Sequence, residues 1–323
     1  MHNHLLGLRI VPDSDSVTQT SIISDLQLKS LIANFPVSNS LLILQHTTLR
    51  SYQHPNMAPN KGLVLAKNPI GLPIVGEDLK VISTEIPLDS PPQGGLILKP
   101  NYISYDPFLR GRMRANTASY TAGFILNEPL YNSAISTVLK SDNPRFKTGD
   151  VVIGHANFQE YYFVPKEKAD KEEPDGGLSI LQNPLGLDPA VFLGALGMPG
   201  STAYSSFYEI GKPKKGETIF ISAASGAVGQ IVGQLAKREG LKVLGSVGSD
   251  EKLKFIREVL GFDGGFNYKT EKPEEGLKRM LTEVGAEGLD IYYDNVGGEQ
   301  LDASIGLMNT FGRIGKPLSV ISS

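Results

Sequence analysis

The chain has 323 residues, 40% of them hydrophobic, enough for two ordinary domains with cores of their own. Lysine and arginine (31) nearly balance aspartate and glutamate (34), and a formal net charge of -3 gives no electrostatic reason to expect nucleic acid or an anionic membrane as a partner. Cysteine is absent, which excludes disulfides and thiolate metal sites and suits a reducing, cytoplasmic setting.

Residues 1–56 are rich in Ser, Thr, Asn and Gln without a sustained helical or strand period, and are expected to form a poorly ordered extension. Four of the five histidines, His2, His4, His46 and His54, fall there and leave His155 alone in the remainder. A zinc site takes about four ligands, usually cysteine or histidine, so no metal is expected. No apolar run approaches the roughly 20 residues that cross a bilayer. Met1 to Thr20 does not read as a secretory signal, and Asp13, Asp15 and Asp25 interrupt what a mitochondrial leader needs.

From Met57 the tone changes. Short β-branched runs separated by Pro and Gly (Gly62–Leu65, Leu79–Ile82, Gly95–Lys99, Gly149–Ile153, Tyr161–Val164) predict a strand-rich, barrel-like domain over 57–187. Within it, Asp106-Pro107-Phe108-Leu109-Arg110 predicts a short helix capped by Asp106. Over 188–323 strands alternate with helices, the pattern of a doubly wound parallel α/β sheet. A strand at Glu217–Ser222 is followed by a helix at Gly229–Glu239, a strand at Lys242–Val247 and a helix at Glu251–Leu260. Further units run through Phe266-Asn267-Tyr268 and Leu289–Tyr293, then a helix over Glu299–Asn309.

The sharpest feature is Ile219-Phe220-Ile221-Ser222-Ala223-Ala224-Ser225-Gly226-Ala227-Val228-Gly229, a buried strand turning tightly into a helix. It fits G-x-G-x-x-G with Ala224 in the first glycine place. Gly226 lets the backbone approach a pyrophosphate, Gly229 lets the helix pack on the strand, and the helix start offers N–H groups and a positive dipole end. The string alone fits an ordinary strand-to-helix turn equally well; its context adds weight. An NAD site places an Asp or Glu about 20 residues on, at the end of the second strand, to hold the ribose 2′-hydroxyl. Here that strand ends in Ser246-Val247-Gly248-Ser249-Asp250-Glu251-Lys252. Gly248 leaves the acid's place open, and Lys252 stands one helical turn on, where it can meet a 2′-phosphate. NADPH is inferred over NADH, with Asp250 leaving some room for NADH and a solvated surface lysine as the alternative for Lys252.

These residues resemble the leukotriene B4 dehydrogenase and prostaglandin reductase branch of the zinc-independent medium-chain reductases, with its plant alkenal double-bond reductases and fungal relatives. The likeness runs from about Gly62 to Ile314. It rests on Tyr105-Asp106-Pro107-Phe108-Leu109-Arg110, Met198-Pro199-Gly200-Ser201-Thr202-Ala203-Tyr204, Ala223–Gly229, Gly248–Lys252, Phe266-Asn267-Tyr268-Lys269 and Asp294-Asn295-Val296-Gly297-Gly298. It implies a GroES-like barrel followed by a Rossmann domain. Gly226, Ala227, Val228 and Gly229 would carry the pyrophosphate, and Ser249, Lys252 and Tyr268 the adenosine ribose and its phosphate. Asn295 would sit beside the cofactor, and Met198 and Thr202 would line the nicotinamide side. Core packing is the alternative for Tyr268 and Met198, turn chemistry for Asn295. The implied reaction is hydride transfer from NADPH to an enal or enone, and the resemblance implies a homodimer.

Two departures qualify this. Phe108 stands where close relatives often carry a substrate-facing Tyr, so that hydroxyl is missing. After Ile314 the pattern is lost at Gly315-Lys316-Pro317, and the tyrosine usually proposed as proton donor has no counterpart, so no catalytic acid is named. One reading of both ends is a gene-model artefact or splice form, with translation starting at Met57 and an intron read through after Ile314. A quinone reductase of the same superfamily and a non-catalytic NADPH-binding protein are the rival functions.

Overall fold

The computed structural model describes residues 57–115, 121–171 and 177–315. The expectations for residues 1–56 and for the stretch beyond Gly315 lie outside the described residues.

In the first domain β1 (Met57–Leu65) and β2 (Leu79–Pro87) form an antiparallel pair. There follow β3 (Leu96–Ile103), α1 (Leu109–Arg112), β4 (Tyr131–Ser141), β5 (Val151–Asn157), β6 (Tyr162–Val164), α2 (Lys166–Ala169) and β7 (Leu178–Ile180). The five later strands make an antiparallel sheet in the order β6-β3-β4-β5-β7. Alternation places Leu96 and Leu98 of β3, Val138 of β4 and Val152 of β5 in one core with Val164 and Leu178. A second cluster, with Leu65, Leu79, Leu109, Met113 and Phe158, fills the space beneath α1.

The sequence placed a helix cap at Asp106, and the structure corrects this. The helix spans only Leu109–Arg112, with Phe108 at its start and no side-chain cap. Asp106 Oδ2 instead accepts hydrogen bonds from Ser104 Oγ and Asn132 Nδ2, both at 2.7 Å. The carboxylate is turned to these donors rather than to the helix N–H groups, and its bonds tie the loop before Phe108 to β4.

Ahead of the parallel sheet, Asp188 accepts from Ala190 N at the start of a 3-10 turn, Pro189–Phe192. In chain order come α3 (Met198–Ser206), a π-helical turn at Phe207–Gly211, β8 (Thr218–Ile221), α4 (Gly229–Arg238), β9 (Lys242–Val247) and α5 (Asp250–Glu258). They are followed by β10 (Gly264–Asn267), α6 (Pro273–Glu283), β11 (Leu289–Tyr293), α7 (Glu299–Ile305) and β12 (Met308–Gly315). The strands form one parallel sheet in the order β10-β9-β8-β11-β12.

Both faces of this sheet are covered, which explains why its strands read as continuous apolar runs. Ile219, Ile221, Val243, Ile291 and Tyr293 pack with Ala203 and Phe207, with Val232 and Ala236 of α4 and with Ile256 of α5. Their neighbours Phe220, Leu244, Phe266 and Tyr292 face the other way, onto Leu277, Met280 and Leu281 of α6 and Leu301 of α7. Full burial of a Val, Leu, Ile, Phe or Met side chain among these is worth about 1.5–3 kcal/mol.

The helix expected over Glu299–Asn309 stops at Ile305. Met308 pairs with Leu289 and Asn309 Nδ2 donates to Asp290 Oδ1 at 2.8 Å, so these residues belong to the sheet. Bonding to β11 outweighs the continued helical pattern.

Candidate functional site

The chain leaves β8 outward to β9 and β10, then returns to β11 and β12 on the opposite side. Strand order therefore reverses between β8 and β11, and open α/β sheets bind ligands in the crevice beyond the carboxyl ends of such a strand pair. Ser222 follows β8 there, fully buried, and Asn295 lies just past β11. Asn295 donates twice to Ser222, from its backbone N to Oγ (2.8 Å) and from Nδ2 to the carbonyl (2.7 Å). Beside it, Asp294 Oδ1 accepts from Tyr292 Oη (2.8 Å) and from the N–H groups of Val296 (3.1 Å) and Gly297 (2.6 Å). The Asn-Val-Gly-Gly turn is thus pinned from both sides.

The loop after Ser222 is shaped by small residues. Ala223 adopts a left-handed conformation, φ 48°, a cost of about 1–2 kcal/mol for a non-glycine residue. Ala224 is fully buried, and a Cβ on Gly245 of β9 would stand only 2.6 Å from its methyl. Gly245 therefore makes the room that alanine needs in the first glycine place. A Cβ on Gly229 would stand 2.5 Å from the Ala223 carbonyl oxygen, so α4 packs directly on the turn. Gly226 lies beside the same oxygen, and the N–H groups of Ala227 and Val228 have no hydrogen-bond partner among the described residues. Unpaired N–H groups at the start of α4, with glycines keeping side chains out, fit a pyrophosphate.

At the end of β9 the geometry is equally specific. A Cβ on Gly248 would lie 2.8 Å from the Tyr268 hydroxyl and 3.2 Å from its Cζ. Tyr268 follows β10, donates its N–H to Val247 O, and is 45% exposed, so it is not a core residue. Ser249 caps α5, its Oγ accepting from Lys252 N at 3.3 Å. The Lys252 side chain is exposed and forms no ion pair among the described residues. By contrast, Asp250 Oδ1 accepts from Asn267 Nδ2 at 2.8 Å. A 2′-phosphate fits this corner: a glycine with no side chain, an exposed ammonium without an ion pair among the described residues, and an Asp250 carboxylate turned to Asn267.

Met198, Thr202 and Ser206 are spaced four apart on α3 and share one face. Ser206 Oγ meets Tyr293 Oη at 2.5 Å and donates to Thr202 O at 2.6 Å, which turns this face to β11. Met198 is 49% exposed and thus not core either. Burial pushes the phenols of Tyr292 and Tyr293 above their ordinary range, so both stay protonated through neutral pH. In the first domain, Phe108 is half-buried against the cluster beneath α1.

A family model described as the N-terminal domain of oxidoreductase matches residues 61–171, and one described as zinc-binding dehydrogenase matches residues 227–315. The NADP-dependent oxidoreductase RED1 of Cochliobolus heterostrophus is 51% identical over 260 residues, covering 80% of this chain and 71% of that protein. The chain belongs to the NADP-dependent oxidoreductases of the medium-chain dehydrogenase/reductase superfamily. A second member, the 2-alkenal reductase (NADP(+)-dependent) of Nicotiana tabacum, is 39% identical across 79% of this chain and 71% of its own length. CurA from Vibrio vulnificus, solved in complex with NADPH, superposes with a TM-score of 0.67 at 34% identity, over 79% of this chain and 70% of that one.

For a medium-chain reductase, the described residues contain no group of three or more His, Cys, Asp or Glu side chains placed to hold a metal, although the second family model is named for zinc. Nor does any helix among them have the length and apolarity to cross a membrane. Sequence reasoning overlooked Ser222, Gly245 and Asn267. The signal for Ser222 is a serine closing an otherwise apolar strand, and for Gly245 a glycine interrupting one. Asn267 carries no signal until its partner is known.

Proposed function

We propose that this chain uses NADPH to saturate the carbon–carbon double bond of a conjugated enal or enone. The observation that carries the reading is the corner where Tyr268 closes over Gly248 beside the unpaired Lys252, which suits a 2′-phosphate, while Asp250 Oδ1 is bound to Asn267. Likeness to a 2-alkenal reductase supports the substrate class. NADPH, when bound, supplies the hydride.

The chain's own residues position and enclose. Gly226, Ala227, Val228 and Gly229 present backbone to the pyrophosphate, and Ser249, Lys252 and Tyr268 hold the adenosine ribose and its phosphate. Asn295, fixed on Ser222 at the switch point, would meet the nicotinamide half, and Thr202 and Met198 would line its side from α3. Phe108 offers the substrate an apolar contact without a hydroxyl. Conjugate reduction leaves negative charge on the carbonyl oxygen, and hydrogen-bond donors aimed at that oxygen lower the barrier. Tyr292 and Tyr293 are not those donors, because their hydroxyls are turned to Asp294 and Ser206.

The test is to supply the full chain with NADPH and either an aliphatic enal, a cyclic enone or a quinone, and to identify the product. NADPH consumption with saturation of the enal or enone is expected. Turnover of quinones alone would replace the substrate reading, and NADPH binding without turnover of any acceptor would replace the enzymatic one.

A further inference from the structure

Asp250 is the carboxylate best placed by sequence to compete with Lys252, two residues from Gly248 and on the same turn of α5. In a dinucleotide site, a carboxylate at the end of the second strand accepts from the ribose 2′-hydroxyl and repels a phosphate there. What the structure adds is where this carboxylate is held. Asn267 ends β10 in register with Val247, and it is only 7% exposed. Its Oδ1 accepts from Lys269 N at 3.1 Å, which fixes the amide's orientation and leaves Nδ2 as the donor to Asp250 Oδ1 at 2.8 Å. The Asn267 carbonyl is fixed too, accepting from Thr270 N and Glu271 N, both at 3.0 Å, and from Thr270 Oγ1 at 3.2 Å.

We propose that Asn267 sets the preference for NADPH over NADH by holding the Asp250 carboxylate against the end of β10, off the ribose 2′ position. The inference rests on placing the 2′-phosphate beside Lys252. Asn267 is a positioning residue, acting through Asp250. Once released, Asp250 swings on an exposed helix start, reaches the 2′-hydroxyl of NADH, and opposes both the phosphate and the Lys252 charge.

The test measures dissociation constants of NADPH and NADH by calorimetry on the full chain, so no substrate is needed. Asn267→Ser is the first variant: its hydroxyl can still accept from Lys269 N–H as a short turn does, but it cannot reach Asp250. The ratio of NADH to NADPH dissociation constants is expected to fall about tenfold, the effect of one charge-assisted hydrogen bond. Asn267→Ser combined with Asp250→Ala should restore the wild-type ratio, because the released carboxylate is gone. A purely structural role for Asn267 would weaken both cofactors together and would not be rescued. Asn267→Thr serves if the serine variant does not fold. An unchanged ratio in a folded variant, or a lowered ratio that persists in the double variant, overturns the proposal. Lys252→Ala separates the two layers: equal loss of NADPH and NADH there would remove the phosphate placement itself, whereas an NADPH-selective loss beside an unchanged Asn267→Ser ratio would sink only the role of Asn267.

Discussion

The Tyr268 hydroxyl occupies the space a side chain on residue 248 would need, with a Cβ at Gly248 only 2.8 Å away. The contact atom is the far end of an exposed, flexible side chain, so Gly248→Ala should displace Tyr268 rather than break the sheet. NADPH affinity should fall about tenfold while the unfolding midpoint barely moves, since exposed groups yield at little cost. In a Tyr268→Phe background the same substitution should cost much less, because the two residues share one contact. Full additivity of the two losses in calorimetry would separate them.

Lys252 is expected to act on the phosphate alone. Lys252→Ala should weaken NADPH by roughly 1.5–3 kcal/mol, the range for a hydrogen bond to a charged group, and leave NADH nearly unchanged. Raising salt should narrow the gap, because the ammonium is exposed and screened. Titration of each cofactor at two ionic strengths checks both statements.

The bond pair between Asn295 and Ser222 predicts a split between stability and binding. Ser222→Ala strips the acceptor from the Asn295 N–H in a buried setting, costing about 1–3 kcal/mol of unfolding free energy. Asn295→Ala keeps that N–H bond and loses only the amide, so it should cost less stability. Its main effect should fall on turnover at saturating NADPH, through the nicotinamide end. Denaturant unfolding beside steady-state rates reads the two apart; the reverse ordering would show that Asn295 is turn chemistry only.

The parallel sheet was legible because burial on both faces makes its strands apolar throughout, and β9 and β11 run over the residues the sequence predicts. The first domain was harder. Its longest strand, β4, opens Tyr131-Asn132-Ser133, and its buried Asn132 and Ser136 break the apolar alternation. Asn132 is inside because it binds the Ser104 carbonyl and Asp106, a partnership no local pattern reveals. The site divides the same way. Gly226, Gly229 and Lys252 announce themselves by spacing, while Gly245 and Asn267 matter only through residues brought close by the fold.

Gly229 tests how tightly helix and loop are joined. A Cβ there would meet backbone, 2.5 Å from Ala223 O and 2.9 Å from Ala224 Cα, which cannot swing aside. Gly229→Ala should therefore cost about 1–3 kcal/mol in stability, as overpacking does, and displace the N–H groups of Ala227 and Val228. Loss of NADPH and NADH affinity in equal measure is expected, since both carry the pyrophosphate. A selective loss of one cofactor would contradict the assignment.

Arg279 links stability to pH next to the cofactor corner. Its guanidinium donates to both oxygens of Glu271 at 2.9 and 2.8 Å, three residues beyond Tyr268, and reaches Glu283 and the Gly265 carbonyl. Hydrogen bonding from Arg279 lowers the Glu271 carboxyl below its ordinary 4.5, outweighing the desolvation that raises it. A carboxyl depressed in the folded state contributes stability above its unfolded value and loses that contribution as pH falls through the folded one. Glu271→Gln should therefore cost about 0.5–1 kcal/mol at neutral pH, a figure already reduced for partial exposure. The difference from wild type should shrink as pH drops below 4.5. Urea midpoints at neutral pH and near pH 3.5 measure this convergence. A gap that stays constant with pH would show that the Glu271 charge contributes nothing and that only the side chain's packing matters.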